Sequence, residues 1–98
     1  MKVFFLPKVA DLLDGLDRGD RSRLDRTREF FEKYGFSIGP KYIKKVAKCG
    51  LWELRAGKMR LFLCIKGDNA MGVNLIYKKT RKLNLRDLRL AEERCKKL

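Results

Sequence analysis

A chain of 98 residues with 25 Lys and Arg against 12 Asp and Glu, a net charge of +13, is long enough for one hydrophobic core and short for two. An apolar share of 45 % excludes disorder throughout, and the absence of histidine excludes Ser–His and Cys–His catalysis and His-ligated metals, so no cofactor and no metal are expected. A field of this sign attracts phosphate polyanions and gains affinity by releasing their counterions, which puts nucleic acid ahead of acidic proteins or a membrane surface as the partner.

In chain order, Val3 to Leu6 reads as a short buried strand. It is too short for the apolar part of a signal peptide and far too short to cross a bilayer. Pro7 suits the first turn of a helix, in which Val9, Leu12, Leu13 and Leu16 recur at helical spacing. Gly15, Gly19 and the aspartates around them mark a turn. A second helix is expected from Asp20 to Tyr34, with Leu24, Thr27, Phe31 and Tyr34 on one side, arginines on the other and Gly35 at its end. The two form a helical hairpin to be packed on a sheet.

From Tyr42 the pattern changes to period two. Strands are expected over Ile43–Ala47, Leu51–Ala56, Met59–Lys66 and Met71–Tyr77, joined by turns at Gly57 and Gly67-Asp68-Asn69. A last helix runs from Asn84 to Lys96, with Asn84 and Asp87 at capping spacing and Leu85, Leu88, Leu90 and Ala91 as its apolar side. The fold class is α+β, one domain over residues 1–98. Cys49, Cys64 and Cys95 make an odd count without Cys-x-x-Cys spacing. That fits reduced thiols in the cytoplasm, with Cys64 a core residue.

The strand register collects charge. A two-residue loop at Gly57-Lys58 sets Arg55 opposite Arg60, Leu54 opposite Leu61, Glu53 opposite Phe62 and Trp52 opposite Leu63. Alternation then gives Trp52, Leu54, Leu61, Leu63 and Ile65 to the helix-covered face, and Glu53, Arg55, Arg60 and Phe62 to an open one. A three-residue loop after Lys66 adds Val73, Leu75 and Tyr77 to the core side, and Asn74, Ile76 and Lys78 to the arginine side. Facing arginines repel. Either an anionic ligand resolves the conflict, or the side chains splay into water or pair with Glu53.

Cleavage of RNA without a metal needs a base for the 2′-hydroxyl, positive charge around the phosphate and a proton donor for the leaving 5′-oxygen. Glu53 is a candidate base, Arg55 and Arg60 candidate phosphate clamps, and Lys78 or Lys79 a candidate acid. Lys44, Lys45, Lys48 and Lys58, with Arg81 and Lys82 in the basic connector, are further candidates for RNA contact. A site that only binds phosphate would use the same inventory.

Leu51-Trp52-Glu53-Leu54-Arg55, then Arg60 opening the next strand, then Tyr77-Lys78-Lys79-Thr80 and a last helix with Ala91 and Arg94 resemble the RelE/HigB superfamily of toxins, in its short HigB-like branch. The resemblance covers nearly the whole chain. It implies a RelE-like fold, with an N-terminal helical hairpin on a small, mainly antiparallel twisted sheet and a C-terminal helix. It also implies the toxin of a type II toxin–antitoxin system, an endoribonuclease that cuts mRNA on the ribosome. The cognate antitoxin would often carry a helix-turn-helix domain. The functional positions carry over to Arg55, Arg60, Lys78 and Lys79, and less firmly to Glu53. Tyr77 stands where the family usually has Phe, and Asn84 near its usual Pro. Other readings stay open: a non-catalytic RNA- or ribosome-binding protein, or a toxin of another target such as gyrase.

Overall fold

The fold is described from a computed structural model that covers residues 1–77 and 84–98. Its elements are β1 (Lys2–Phe5), α1 (Pro7–Asp14), α2 (Arg18–Tyr34), β2 (Ile43–Ala47), β3 (Leu51–Ala56), β4 (Met59–Lys66), β5 (Asn69–Tyr77) and α3 (Leu85–Lys96), with one 3₁₀ turn at Gly35–Ile38 after α2. The strands form one sheet in the order β1-β5-β4-β3-β2. Strands β2 to β5 are an antiparallel meander, and β1 pairs parallel with β5. The architecture is α+β, with two N-terminal helices, a mostly antiparallel sheet and a C-terminal helix.

Local chemistry sets the helix ends. Pro7 starts α1, where its missing N–H costs nothing. The Asp17 carboxylate accepts from the Asp20 amide at 2.8 Å and so starts α2 at Arg18, ahead of the expected Asp20. Gly19 therefore lies in the helix rather than in the turn. Gly35, at φ 61°, ends α2 in a conformation that suits glycine. The Asn84 side chain caps α3 by accepting from the Arg86 amide at 2.9 Å.

The sheet is covered on both faces. On one, Val9 and Leu13 of α1 and Leu24 and Phe31 of α2 pack on Ile43, Leu54, Leu61, Leu63 and Leu75. Burying Phe31 completely contributes roughly 1.5–3 kcal/mol relative to leaving it in water. On the other, Ala91 and Cys95 of α3 pack on Leu51, Phe62, Cys64 and Val73. The buried stripe of α3 is therefore Leu88, Ala91 and Cys95, while Leu85 and Leu90, expected on the apolar side, are exposed. Tyr34, assigned to the buried side of α2, and Leu12 of α1 are exposed as well. Strand β1 buries Val3 alone and leaves Phe4 exposed, as an edge strand does. The Val3 amide donates to Glu32 of α2 at 3.0 Å, which occupies part of that edge.

Strand β5 departs from the expected register. The turn after Lys66 is the two-residue Gly67-Asp68, since Lys66 pairs with Asn69. A bulge then sets Phe62 against Asn74 and Leu63 against Gly72, with Val73 as the extra residue. The bulge reverses the parity of the strand. Asn74 returns to the face of Glu53, as expected, but Val73 joins it there under α3 instead of facing α1 and α2. Arg94 of α3 donates to the Val73 carbonyl at 2.8 Å and so satisfies a group that the bulge takes from the ladder. Gly72 is required for close packing: a Cβ there would lie 2.8 Å from the Phe5 ring.

Cys64 and Cys95 are joined by a disulfide and Cys49 is free, in place of the three reduced thiols expected. They meet because both belong to the layer between β4 and α3, a proximity that their separation of 31 residues hides in the sequence. A loop of this length implies a contribution of roughly 2–4 kcal/mol through the unfolded chain. Reduction with dithiothreitol, or Cys95→Ala, should lower the denaturant midpoint accordingly. An unchanged midpoint would mean that the two thiols are not bridged in solution.

Candidate functional site

Alternation along β3 puts Glu53 and Arg55 on the α3 face, and the Gly57-Lys58 turn returns the chain so that Arg60 pairs with Arg55. Gly57 has φ 62° and Lys58 does not have a positive φ, the glycine-first pattern of a II′ turn. All four pairs expected of this hairpin are present, from Trp52 with Leu63 to Arg55 with Arg60.

The face is less open than expected. Helix α3 covers the row Glu53–Phe62–Asn74, and Phe62 is wholly buried rather than the floor of a cleft. The Asn74 amide donates to the Asp87 carbonyl, in the first turn of α3, at 3.2 Å. The next row outward, Arg55–Arg60–Ile76, therefore lies past the start of the helix.

Glu53 resolves the arginine conflict. The residue is 4 % exposed, and its Oε1 accepts from Arg55 Nε at 2.8 Å while Arg60 Nε stands 3.3 Å away. Arg60 also folds over the turn, where Nη1 donates to the carbonyls of Gly57 at 2.6 Å and Met59 at 2.9 Å. Its Nε is buried and makes no hydrogen bond among the described residues, so its contact with Glu53 is Coulombic only. Burial holds the Arg60 guanidinium below its usual pKa, Glu53 opposes that and Arg55 adds to it. Arginine starts so high that Arg60 stays cationic at neutral pH. One buried carboxylate thus faces two guanidiniums, leaving one net positive charge at the rim. A carboxylate engaged twice is a counter-ion that sets their positions.

Of the other residues expected at the site, Lys58 is exposed in the turn beside the arginines, and Lys44 is the cross-strand neighbour of Glu53 on β2. Lys45 pairs with Trp52 and so belongs to the opposite face. Lys48 lies in the turn before β3, roughly 13 Å of strand away from Arg55 at 3.3 Å per residue. Lys78, Lys79, Arg81 and Lys82 lie outside the described residues. Tyr77 pairs with Met59 on the α1–α2 side and is half exposed. Among the described residues no group of three or more Cys, Asp or Glu could hold a metal, and no helix is long and apolar enough to cross a membrane.

The protein-family model described as "Phage derived protein Gp49-like (DUF891)" matches residues 11–96, from α1 to the end of α3. The chain belongs to the Gp49-like family. This is a family of toxin-type proteins of toxin–antitoxin systems, and membership is consistent with a toxin that has an antitoxin as its partner. No curated protein matches the chain. Glu53, Arg55 and Arg60 all fall within the Gp49-like match, whereas β1 lies before it.

The outward aromatic cluster of α2 escaped the sequence reading, which named Tyr34 only for the buried side and did not name Phe30. Phe30 and Tyr34 face outward one helical turn apart, and the Phe30 ring also meets Tyr42 beside the start of β2. The signal was present, as an i, i+4 aromatic pair flanked by Arg26 and Lys33.

Proposed function

We propose that this Gp49-like protein is the toxin of a type II toxin–antitoxin system, works like the RelE/HigB toxins, and cleaves mRNA on the ribosome in the cytoplasm. The observation that carries the reading is the pair of guanidiniums held against one buried carboxylate beside the β3–β4 turn. A phosphate entering there meets two cations already fixed in position, which lowers the entropic cost of gathering them. Arg60 Nε, without a hydrogen bond, would gain one by turning toward a phosphate oxygen. In the reaction the 2′-oxygen attacks the adjacent phosphorus, the 5′-oxygen leaves, and a 2′,3′-cyclic phosphate and a 5′-hydroxyl end result. Arg55 and Arg60 would stabilise the charge that builds on the phosphorane, and Glu53 would position them. Lys78 and Lys79, carried over from the superfamily resemblance, would handle proton transfer. The charge of +13 would serve docking on ribosomal RNA as well as substrate binding.

The test uses the purified chain with one mRNA in two states, translated in a ribosomal extract and naked in buffer. Cuts only in the translated RNA, ending in cyclic phosphate, are the expected result. Equal cutting of naked RNA would refute ribosome dependence. Salt-dependent binding without cutting in either state would make the chain a binding protein.

A further inference from the structure

We propose that the outer face of α2, together with Tyr42, is a second RNA-binding surface: a stacking groove for unpaired nucleotides that reaches the turn of the Arg55–Arg60 hairpin from the opposite face of the sheet. The groove has a volume of about 640 Å³ and is lined by Phe30, Tyr34, Tyr42, Arg23, Arg26 and Lys33. The Phe30 ring stands 5.3 Å from Tyr34 and 5.6 Å from Tyr42, edge to face with both. Phe30 is 39 % exposed and Tyr34 is 52 % exposed, so these rings are not simply core.

Its charge selects the occupant. Three cations line the groove against the single carboxylate of Glu29, and Lys33 Nζ stands 5.4 Å from the centre of the Tyr34 ring. Beside it, Lys41 Nζ stands 5.6 Å from the centre of the Tyr42 ring. An apolar peptide would leave the cations unused. A flexible polyanion with flat apolar rings uses both features, because bases stack on aromatic side chains and phosphates meet Arg and Lys.

The approach of the groove to the turn of the arginine hairpin favours RNA over an acidic protein segment. The Arg23 side chain lies over the β3–β4 turn, close enough that a Cβ on Gly57 would be 3.0 Å from its Cδ. The Gly57 carbonyl accepts from Arg60 Nη1 at 2.6 Å, and the Tyr42 carbonyl accepts from the Arg55 amide at 2.7 Å. The chain segments that hold the two arginines are thus the same ones that hold one end of the groove. Arg23, itself exposed, also stands 3.7 Å from the half-buried Asp20, a long contact that it can exchange for a phosphate. The groove and the arginine site thus meet at the β3–β4 turn from opposite faces of the sheet. The groove would bind RNA whether or not the chain cuts it, so this inference and the nuclease reading fail separately.

Fluorescence anisotropy of the full chain with labelled single-stranded oligouridylate tests it, with a duplex RNA and polyglutamate as competitors. Tyr34→Ala should weaken oligouridylate binding about tenfold and Tyr34→Phe should not, because what matters is the ring. Arg26→Ala should flatten the salt dependence by roughly 0.7 in log–log slope. Ultraviolet crosslinking of the native chain to oligouridylate, which needs no variant, should mark the peptide carrying Phe30 and Tyr34 or the one carrying Tyr42. Native affinity in both Tyr34→Ala and Arg26→Ala, or crosslinks confined to other peptides, would overturn the proposal. So would polyglutamate displacing the RNA from the native chain and binding poorly to the same variants, since the groove would then be a protein dock.

Discussion

Glu53→Ala is expected to destabilise the protein by about 2–4 kcal/mol, although the residue lies near the end of a hairpin. Removing one member of a buried ion cluster strands the others, at a typical cost of roughly 3–5 kcal/mol. The lower figure applies here because the Arg55 side chain is 32 % exposed and partly screened, whereas that of Arg60 is 14 % exposed. Two guanidiniums would then face each other across a ladder with nothing between them. Urea unfolding measures the loss. Adding Arg60→Ala to Glu53→Ala should recover part of it, which a simple cavity at position 53 would not allow. Sulfate should also stabilise Glu53→Ala more than the native chain, because an anion replaces the missing carboxylate. A loss below about 1 kcal/mol, with no response to sulfate, would mean that the ion cluster is dispensable.

Arg60→Ala should lower mRNA cleavage by about 10²–10³-fold, the usual effect of removing one preorganised group from a site where negative charge builds up. The fold should survive, since Glu53 keeps Arg55 at 2.8 Å and the orphaned donor at Arg60 Nε disappears with the side chain. Arg60→Lys should not restore activity. A lysine keeps the charge but not the planar fork that spans two phosphate oxygens, nor the reach to two turn carbonyls at once. Single-turnover cleavage, with unfolding curves as the control for structure, separates the two variants from a general loss of stability.

The β3–β4 hairpin was legible because turn chemistry and alternation agree: Gly57-Lys58 permits one tight loop, and a one-residue slip would have set Leu54 or Leu61 against the charged face. That agreement brings Glu53, Arg55 and Arg60 together from the sequence alone. Sequence could not tell that Glu53 would be buried beneath its own arginines, because that depends on where α3 begins on the sheet. Nor could it find the bulge at Val73. Its parity shift cancels the shift made by the shorter turn, so Asn74 reached the expected face by a different route. In α3 the leucines mislead: Leu85 and Leu90 lie off the stripe that the smaller Ala91 and Cys95 bury. The small residues let the helix come close to β4, and the disulfide follows from that approach.

The most direct test of the central claim, that Arg60 belongs to a site that cleaves mRNA, is a map of RNA 5′ ends after brief induction of the native chain, of Arg60→Ala and of Lys48→Ala. New ends inside translated reading frames with the native chain and Lys48→Ala, absent with Arg60→Ala, are the predicted result. Ends that persist in stably folded Arg60→Ala, or growth arrest by the native chain without any new ends, would contradict it.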